Sequence, residues 1–215
     1  MQRIVLGNPY NYNHVLNKGR KLWYLGLPTA VSGYTNIAKR QWHTGLLNGG
    51  VKIDSTVNGF RASKMSGTNE ISTLCGSTST EDDFNLPVQQ TITIAAWFRV
   101  NTVRDYNIMH KGDGATNANS SFFISRYSPI GNTNLGFWVN NGTSWLIVHA
   151  GSAYTDGRLH RVVCTVQQGL GQPQLLYVDG RLVGSSTFTG NIPSSFNYAW
   201  QWGRHPSVGS PPDQM

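Results

Sequence analysis

Breaking a glycosidic bond takes two carboxyl groups about 5–9 Å apart, one as acid and one as nucleophile or base. The only glutamates in the chain are Glu70 and Glu81. Glu81 opens the run Glu81-Asp82-Asp83 within the polar stretch Gly76–Asp83, where neighbouring side chains splay apart rather than converge. This run reads as a solvated acidic loop, so hydrolysis is not expected and the chain is not read as an enzyme. A Ser/His/Asp hydrolase is excluded in the same way, because no G-x-S-x-G elbow occurs. His110 and His149 each follow a strand-like run without a partner at ligand spacing, so zinc is not expected.

Binding chemistry is better represented. A pyranose offers an apolar face that stacks on flat aromatic rings, and hydroxyls that pair with amides. Asn134–Ala150 holds Trp138, Asn140, Asn141 and Trp145, and Tyr198, Trp200 and Trp202 recur at a spacing of two, on one face of an extended strand. Trp138, Asn140, Trp145, Tyr198, Trp200 and Trp202 are therefore the candidate ligand-binding set. Core packing competes for the same side chains, because a sandwich must bury large rings on its inner faces. Trp97 is expected in the core. Calcium, which takes roughly six to eight oxygens, is the one candidate cofactor. Asp113, in Lys111-Gly112-Asp113-Gly114 with Asn117 and Asn119 beyond it, and Asp156 are its candidate ligands. Lys111 adjoins the first of these, and turn formation explains both aspartates equally well.

These residues need a scaffold, and the segment Gly157–Ser185 shows what kind. Arg158–Gln167 is rich in β-branched residues and reads as a strand. Gly169–Pro173 is expected to be a turn cluster and Leu175–Val178 a second short strand. Asp179-Gly180 supplies the φ > 0 conformations of a two-residue hairpin, returning the chain through Arg181–Ser185. Upstream, Thr91–Val100 alternates, with Ile92, Ile94 and Ala96 to one side and Thr91, Thr93, Ala95 and Trp97 to the other. Asn141-Gly142 marks another dipeptide hairpin between Asn134–Asn140 and Ser144–Ala150. Strand candidates recur every ten to fifteen residues or so and no amphipathic helical window stands out, the pattern of a two-sheet antiparallel sandwich.

At 215 residues the chain suits one domain with a substantial core. Charged residues make up 13%, aromatics 11%, and there are seven Trp. The net charge of +7 attracts polyanions in general. Specific nucleic-acid binding needs a focused basic stripe, and the densest cluster, Lys18-Gly19-Arg20-Lys21, is short. No stretch reaches the ~18 apolar residues of a membrane span, and no secretory leader is seen in 1–16. Cys75 and Cys164 allow one disulfide, but Cys164 lies mid-strand, where a buried thiol is the expected state. Residues 1–19, rich in Asn, Tyr and Gly, read as an extended arm, and 20–215 as the sandwich domain.

Leu159-His160-Arg161-Val162 through Thr165, followed by Leu176-Tyr177-Val178-Asp179-Gly180, resembles the WHxVxxT…LYVDG signature of laminin-G-like jelly roll domains, in the concanavalin A-like lectin/glucanase superfamily. Leu159 stands where that family has Trp, keeping an apolar anchor. Thr91–Val100 and Gly33–Gly50 are similar to two further family segments, with Asn36 in place of a usual Asp, and the resemblance runs from about Leu22 to Arg204. It implies an all-β, two-sheet antiparallel jelly roll β-sandwich, in which His160 packs and hydrogen-bonds inside. The glucanase branch places its carboxylates in an E-x-D-x-E spacing, which neither glutamate fits. Many such domains bind calcium at loop ends. The closing strand usual in the family is absent after His205, which reads as a fragment.

By analogy of fold, the expected role is a noncatalytic carbohydrate- or cell-surface-binding module of lectin-like type. The alternatives are a structural module of a larger surface or virion assembly, docked through the N-terminal arm, and a divergent glycoside hydrolase. An extracellular or virion-associated setting goes with these roles.

Overall fold

A computed structural model describes residues 28–30, 33–35, 44–48, 52–57, 60–64, 70–73, 91–112, 122–127, 132–193 and 200–202. Side chains are described for 91–112, 122–126 and 133–193. The expected N-terminal arm, Cys75, Asp113 and Tyr198 lie outside these residues. The described residues contain fifteen strands and no helix. In order they are β1 (Pro28–Ala30), β2 (Gly33–Thr35), β3 (Thr44–Asn48), β4 (Lys52–Val57), β5 (Phe60–Lys64) and β6 (Glu70–Thr73). Then follow β7 (Thr91–Arg99), β8 (Tyr106–Lys111), β9 (Phe122–Tyr127), β10 (Asn132–Asn140) and β11 (Trp145–His149). The last four are β12 (Leu159–Gln167), β13 (Gly169–Val178), β14 (Arg181–Gly190) and β15 (Trp200–Trp202).

The strands form a long sheet, β1-β2-β3-β6-β15-β8-β9-β10-β11, a four-stranded sheet, β14-β13-β12-β7, and the pair β4-β5. Period-two alternation decides which side of each strand is buried. In β7, Ile92, Ile94 and Phe98 turn inward; in β12, His160, Val162, Cys164 and Val166 do so. Apart from His160, they meet Phe122 and Ile124 of β9 and Leu135, Phe137 and Val139 of β10 in one continuous core. Such closely packed rings are costly to truncate, about 3–5 kcal/mol for a buried Phe cut to Ala. This is the expected antiparallel sandwich, and Cys164 is a free, fully buried thiol within it.

Two contacts tie the sheets together through polar backbone. Gln174 of β13 is fully buried, and its Nε2 donates to the Phe137 carbonyl at 2.9 Å and the Leu146 carbonyl at 3.3 Å on the opposite sheet. Gly184 of β14 lies so close to β11 that a Cβ would collide with the His149 carbonyl oxygen.

The central meander β12–β13–β14 forms as expected, and its second turn is the anticipated hairpin, with φ of 51° at Asp179 and 79° at Gly180. Three local expectations need correcting. Gly169–Pro173 is not a turn but the start of β13, paired with β14 from Gly169↔Gly190 through a bulge to Pro173↔Thr187. The β12 ladder ends at Val166↔Gln174, so Pro173 withholds no donor from it. The β10–β11 connection is a four-residue loop between Asn140 and Trp145 rather than a two-residue turn. Asn141 Oδ1 organises it by accepting the Thr143 and Ser144 N–H groups at 3.1 and 2.9 Å.

The third correction concerns Trp97. It is 53% exposed on the outer face of the four-stranded sheet, not in the core. Phe98 holds the inward position, and a strand cannot turn adjacent side chains to the same side.

Candidate functional site

The register gathers aromatic side chains on the outer face of the long sheet. Phe123 pairs with Trp138, which pairs in turn with Ile147, and Asn140 pairs with Trp145. Leu135, Phe137 and Val139 take the core side of β10, leaving Trp138 and Asn140 for the other. The Trp145 ring lies 4.3 Å from Phe123, and the Trp138 ring 5.5 Å from it. His149 meets Trp138 edge-on at 6.1 Å, and burial lowers its pKa. Trp145 is half-buried and His149 exposed, so the cluster opens along edge strand β11.

Polar groups line the same face. A bulge in β8 between Asn107 and Met109 places Asn107 opposite Ser125 while His110 stands opposite Phe123. Asn107 Nδ2 and His110 Nδ1 are 3.2 Å apart. Trp138 Nε1 and Ser125 Oγ are both buried without a hydrogen-bond partner among the described residues. Unpaired buried donors of this kind are costly, which makes the face chemically unlike ordinary core.

Of the expected ligand-binding residues, the fold brings together Trp138, Asn140 and Trp145. Trp138 is only 4% exposed. Asn140 is fully buried, and its Oδ1 accepts the Gly142 N–H at 2.6 Å. Trp200 and Trp202 pair with Lys111 and Met109, whereas the row of Trp138 and Phe123 runs on through His110 to Gln201. The side chains of Trp200 and Trp202 lie outside the described residues. Phe123 joins this cluster without having been among the expected ligand-binding residues. Its signal was the alternation of β9, which has no meaning for the site until β9 is known to pair with β10.

A second constellation lies at the start of β12. His160 Nδ1 is 2.7 Å from Asp179 Oδ2, and Nε2 is 2.9 Å from Asp156 Oδ1. Both ring nitrogens face carboxylate oxygens, so both donate when the ring is protonated. Burial by itself lowers the His160 pKa, but the hydrogen bonds to Asp179 and Asp156 outweigh it and leave the pKa raised. Asp156 is held below the usual carboxylate range by the Arg158 N–H and by His160. Tyr154, at φ 50°, packs edge-on against the imidazole with ring centres 5.0 Å apart, and Phe98 lies 5.7 Å from it. His160 thus packs and hydrogen-bonds within the sandwich, as expected.

This arrangement fits calcium poorly at Asp156. Asp156 Oδ1 already accepts from His160 Nε2 and from the Arg158 N–H at 2.9 Å, and a protonated imidazole repels a second cation. Among the described residues no three His, Cys, Asp or Glu side chains converge as a metal site.

The family model described as the concanavalin A-like lectin/glucanases superfamily matches residues 75–213. No curated protein sequence matches the chain. Solved structures share its fold at low identity. The binding domain of botulinum neurotoxin DC in complex with SialylT is 12% identical, with a TM-score of 0.62 over 91% of this chain and 45% of its own length. The binding domain of Paraclostridial Mosquitocidal Protein 1 is 13% identical, at 0.65 over 90% and 46%. Domain 4 of AbnA, a GH43 extracellular arabinanase from Geobacillus stearothermophilus, in complex with arabinotriose, is 14% identical, at 0.59 over 84% of each chain. The chain therefore spans less than half the length of these toxin binding domains.

Proposed function

The chain belongs to the concanavalin A-like lectin/glucanase superfamily, and from that premise we propose that it is a noncatalytic glycan-binding module. The observation that carries this reading is the aromatic group on the outer face of the long sheet, where half-open Trp145 rests 4.3 Å from Phe123 beside Trp138. A ring backed in this way is rigid, and its free part offers a flat apolar surface to a sugar at little entropic cost. Exposed His149, on the same strand, adds a polar partner at the rim. Two neighbours of the same fold were solved with SialylT and with arabinotriose, which supports a saccharide as the ligand class.

The noncatalytic part of the reading rests on the carboxylates. Asp156 and Asp179, brought to one side chain by the fold, commit oxygens to His160 and to the Arg158 and Arg161 N–H groups. They flank an imidazole rather than an open groove. The test is a glycan array probed with the native protein and with Trp145→Ala. Retention of at least one glycan by the native protein, weakened about tenfold or more by the substitution, is the expected result. Absence of binding to every glycan, or binding indifferent to Trp145, overturns the reading.

A further inference from the structure

The opposite side of the molecule carries a second surface. Trp97 stands 53% exposed in the middle of a regular sheet, and Leu182, on the same sheet, is 54% exposed. Ala95, Val163, Tyr177 and Leu182 form one cross-strand row on this face, next to the pair Trp97↔Arg161. Arg99 follows two residues after Trp97, on the same side of β7. Single exposed apolar residues are ordinary on protein surfaces, but an exposed Trp beside a contiguous apolar row is not.

Within its strands the charge of this face has one sign, and the nearby Asp179 carboxylate, at the turn opposite Arg161, is engaged by the Arg161 N–H and by His160. The four strands β7, β12, β13 and β14 contain no Asp or Glu. No ion pair or side-chain hydrogen bond engages Arg99 or Arg161 among the described residues, and Arg99 Nε is closed off from water without an acceptor. Directly opposed residues on antiparallel strands lie about 4.5–5.5 Å apart, and same-side neighbours along a strand about 7 Å apart. Two guanidinium groups therefore stand within side-chain reach of one exposed indole.

A flat apolar ring wants a flat apolar partner, and a guanidinium fork wants a planar anion it can grip with two parallel hydrogen bonds. A hexuronate supplies both in one residue: the C–H face of the pyranose and a carboxylate on the carbon next to the ring oxygen. A single-stranded nucleic acid needs a basic track following its backbone, whereas the rows beyond Trp97 are Ala, Val, Tyr, Leu and Thr. The chain's net charge of +7 adds long-range attraction for an acidic polymer.

We propose that the outer face of the four-stranded sheet binds a hexuronate-containing polysaccharide, with Trp97 as the stacking platform and Arg161 and Arg99 as carboxylate forks. The proposal is independent of the Trp145 surface, which lies on the other sheet.

The test is affinity electrophoresis of the intact protein through gels containing polygalacturonate, alginate or hyaluronate, each beside its carboxyl-reduced form. At least one acidic polymer is expected to retard the protein, and its reduced form is not. Trp97→Ala and Arg161→Gln are each expected to weaken retardation tenfold or more while Val103→Ala, at an exposed position outside the strands, leaves it unchanged. Both substitutions are on the surface, and an unshifted melting temperature shows that they fold. The proposal is overturned by absence of retardation in all three polymers, or by retardation that survives carboxyl reduction or the loss of Trp97. Preference for single-stranded DNA over every uronate overturns it as well.

Discussion

His160 Nδ1 and Asp179 Oδ2 lie 2.7 Å apart, joining the start of β12 to the turn between β13 and β14. Asp179 Oδ1 accepts the Arg161 N–H at 2.8 Å, so one carboxylate holds both the imidazole and its strand. The left-handed turn that shapes the hairpin thus also positions a charge beside a buried ring.

This contact makes stability depend on pH in two directions. The His160 pKa is raised on folding, so its contribution is full below about 6.5 and is lost as pH rises through the folded value. The Asp156 pKa is lowered, so its contribution is present above about 3.8 and is lost as pH falls through the folded value. Urea midpoints measured from pH 4 to 9 are expected to decline on the alkaline side in the native protein. The decline should flatten in His160→Gln, and an unchanged slope in that variant would contradict the assignment.

Gly184 is expected to tolerate no side chain. A Cβ there meets the His149 carbonyl and Val148 Cγ2 at 2.9 Å, and overpacking of this kind costs about 1–3 kcal/mol. Gly184→Ala should melt several degrees lower, at about 2–4 °C per kcal/mol for a domain of this size. Gly151→Ala, whose Cβ meets nothing within 4 Å, is the control expected to melt with the native protein.

Gln174 links the two sheets by donating to the Phe137 and Leu146 carbonyls. Gln174→Leu retains much of the volume but leaves those acceptors without this donor, at about 1–3 kcal/mol. A lower urea midpoint with an unchanged m-value is the expected observation. An unchanged midpoint would show that the amide adds nothing to the packing.

Cys164 is fully buried, and burial pushes its thiol pKa well above the usual value. In a Cys75→Ser variant, which leaves one thiol, a thiol-reactive chromophore should fail to label the native protein and label it promptly in denaturant. Fast labelling under native conditions would refute the burial.

Much of the fold was legible because strand signals are local. The β-branched run of β12, the Asp179-Gly180 turn and the alternation of β7 each specify backbone shape from neighbouring residues alone. Local signals mislead where a ladder partner overrides a local breaker. Gly169–Pro173 carries turn residues, yet β14 holds it extended from Gly169 to Pro173.

The sites were less legible. Alternation shows that Trp97 and Phe98 point to opposite sides of β7, and that Phe137 and Trp138 do so in β10. It cannot show what covers each side. Trp97 emerges 53% exposed, while Trp138, also turned from the core, is 4% exposed with Phe123 against it. His160 likewise acquires its second carboxylate from a turn 19 residues away. The sequence by itself determined the strands, the central hairpin and the two sides of each strand, because those follow from dihedral preferences and a period of two. Only the tertiary structure decided which aromatic surfaces are open and which charges meet, because sheet order and register bring together residues distant along the chain.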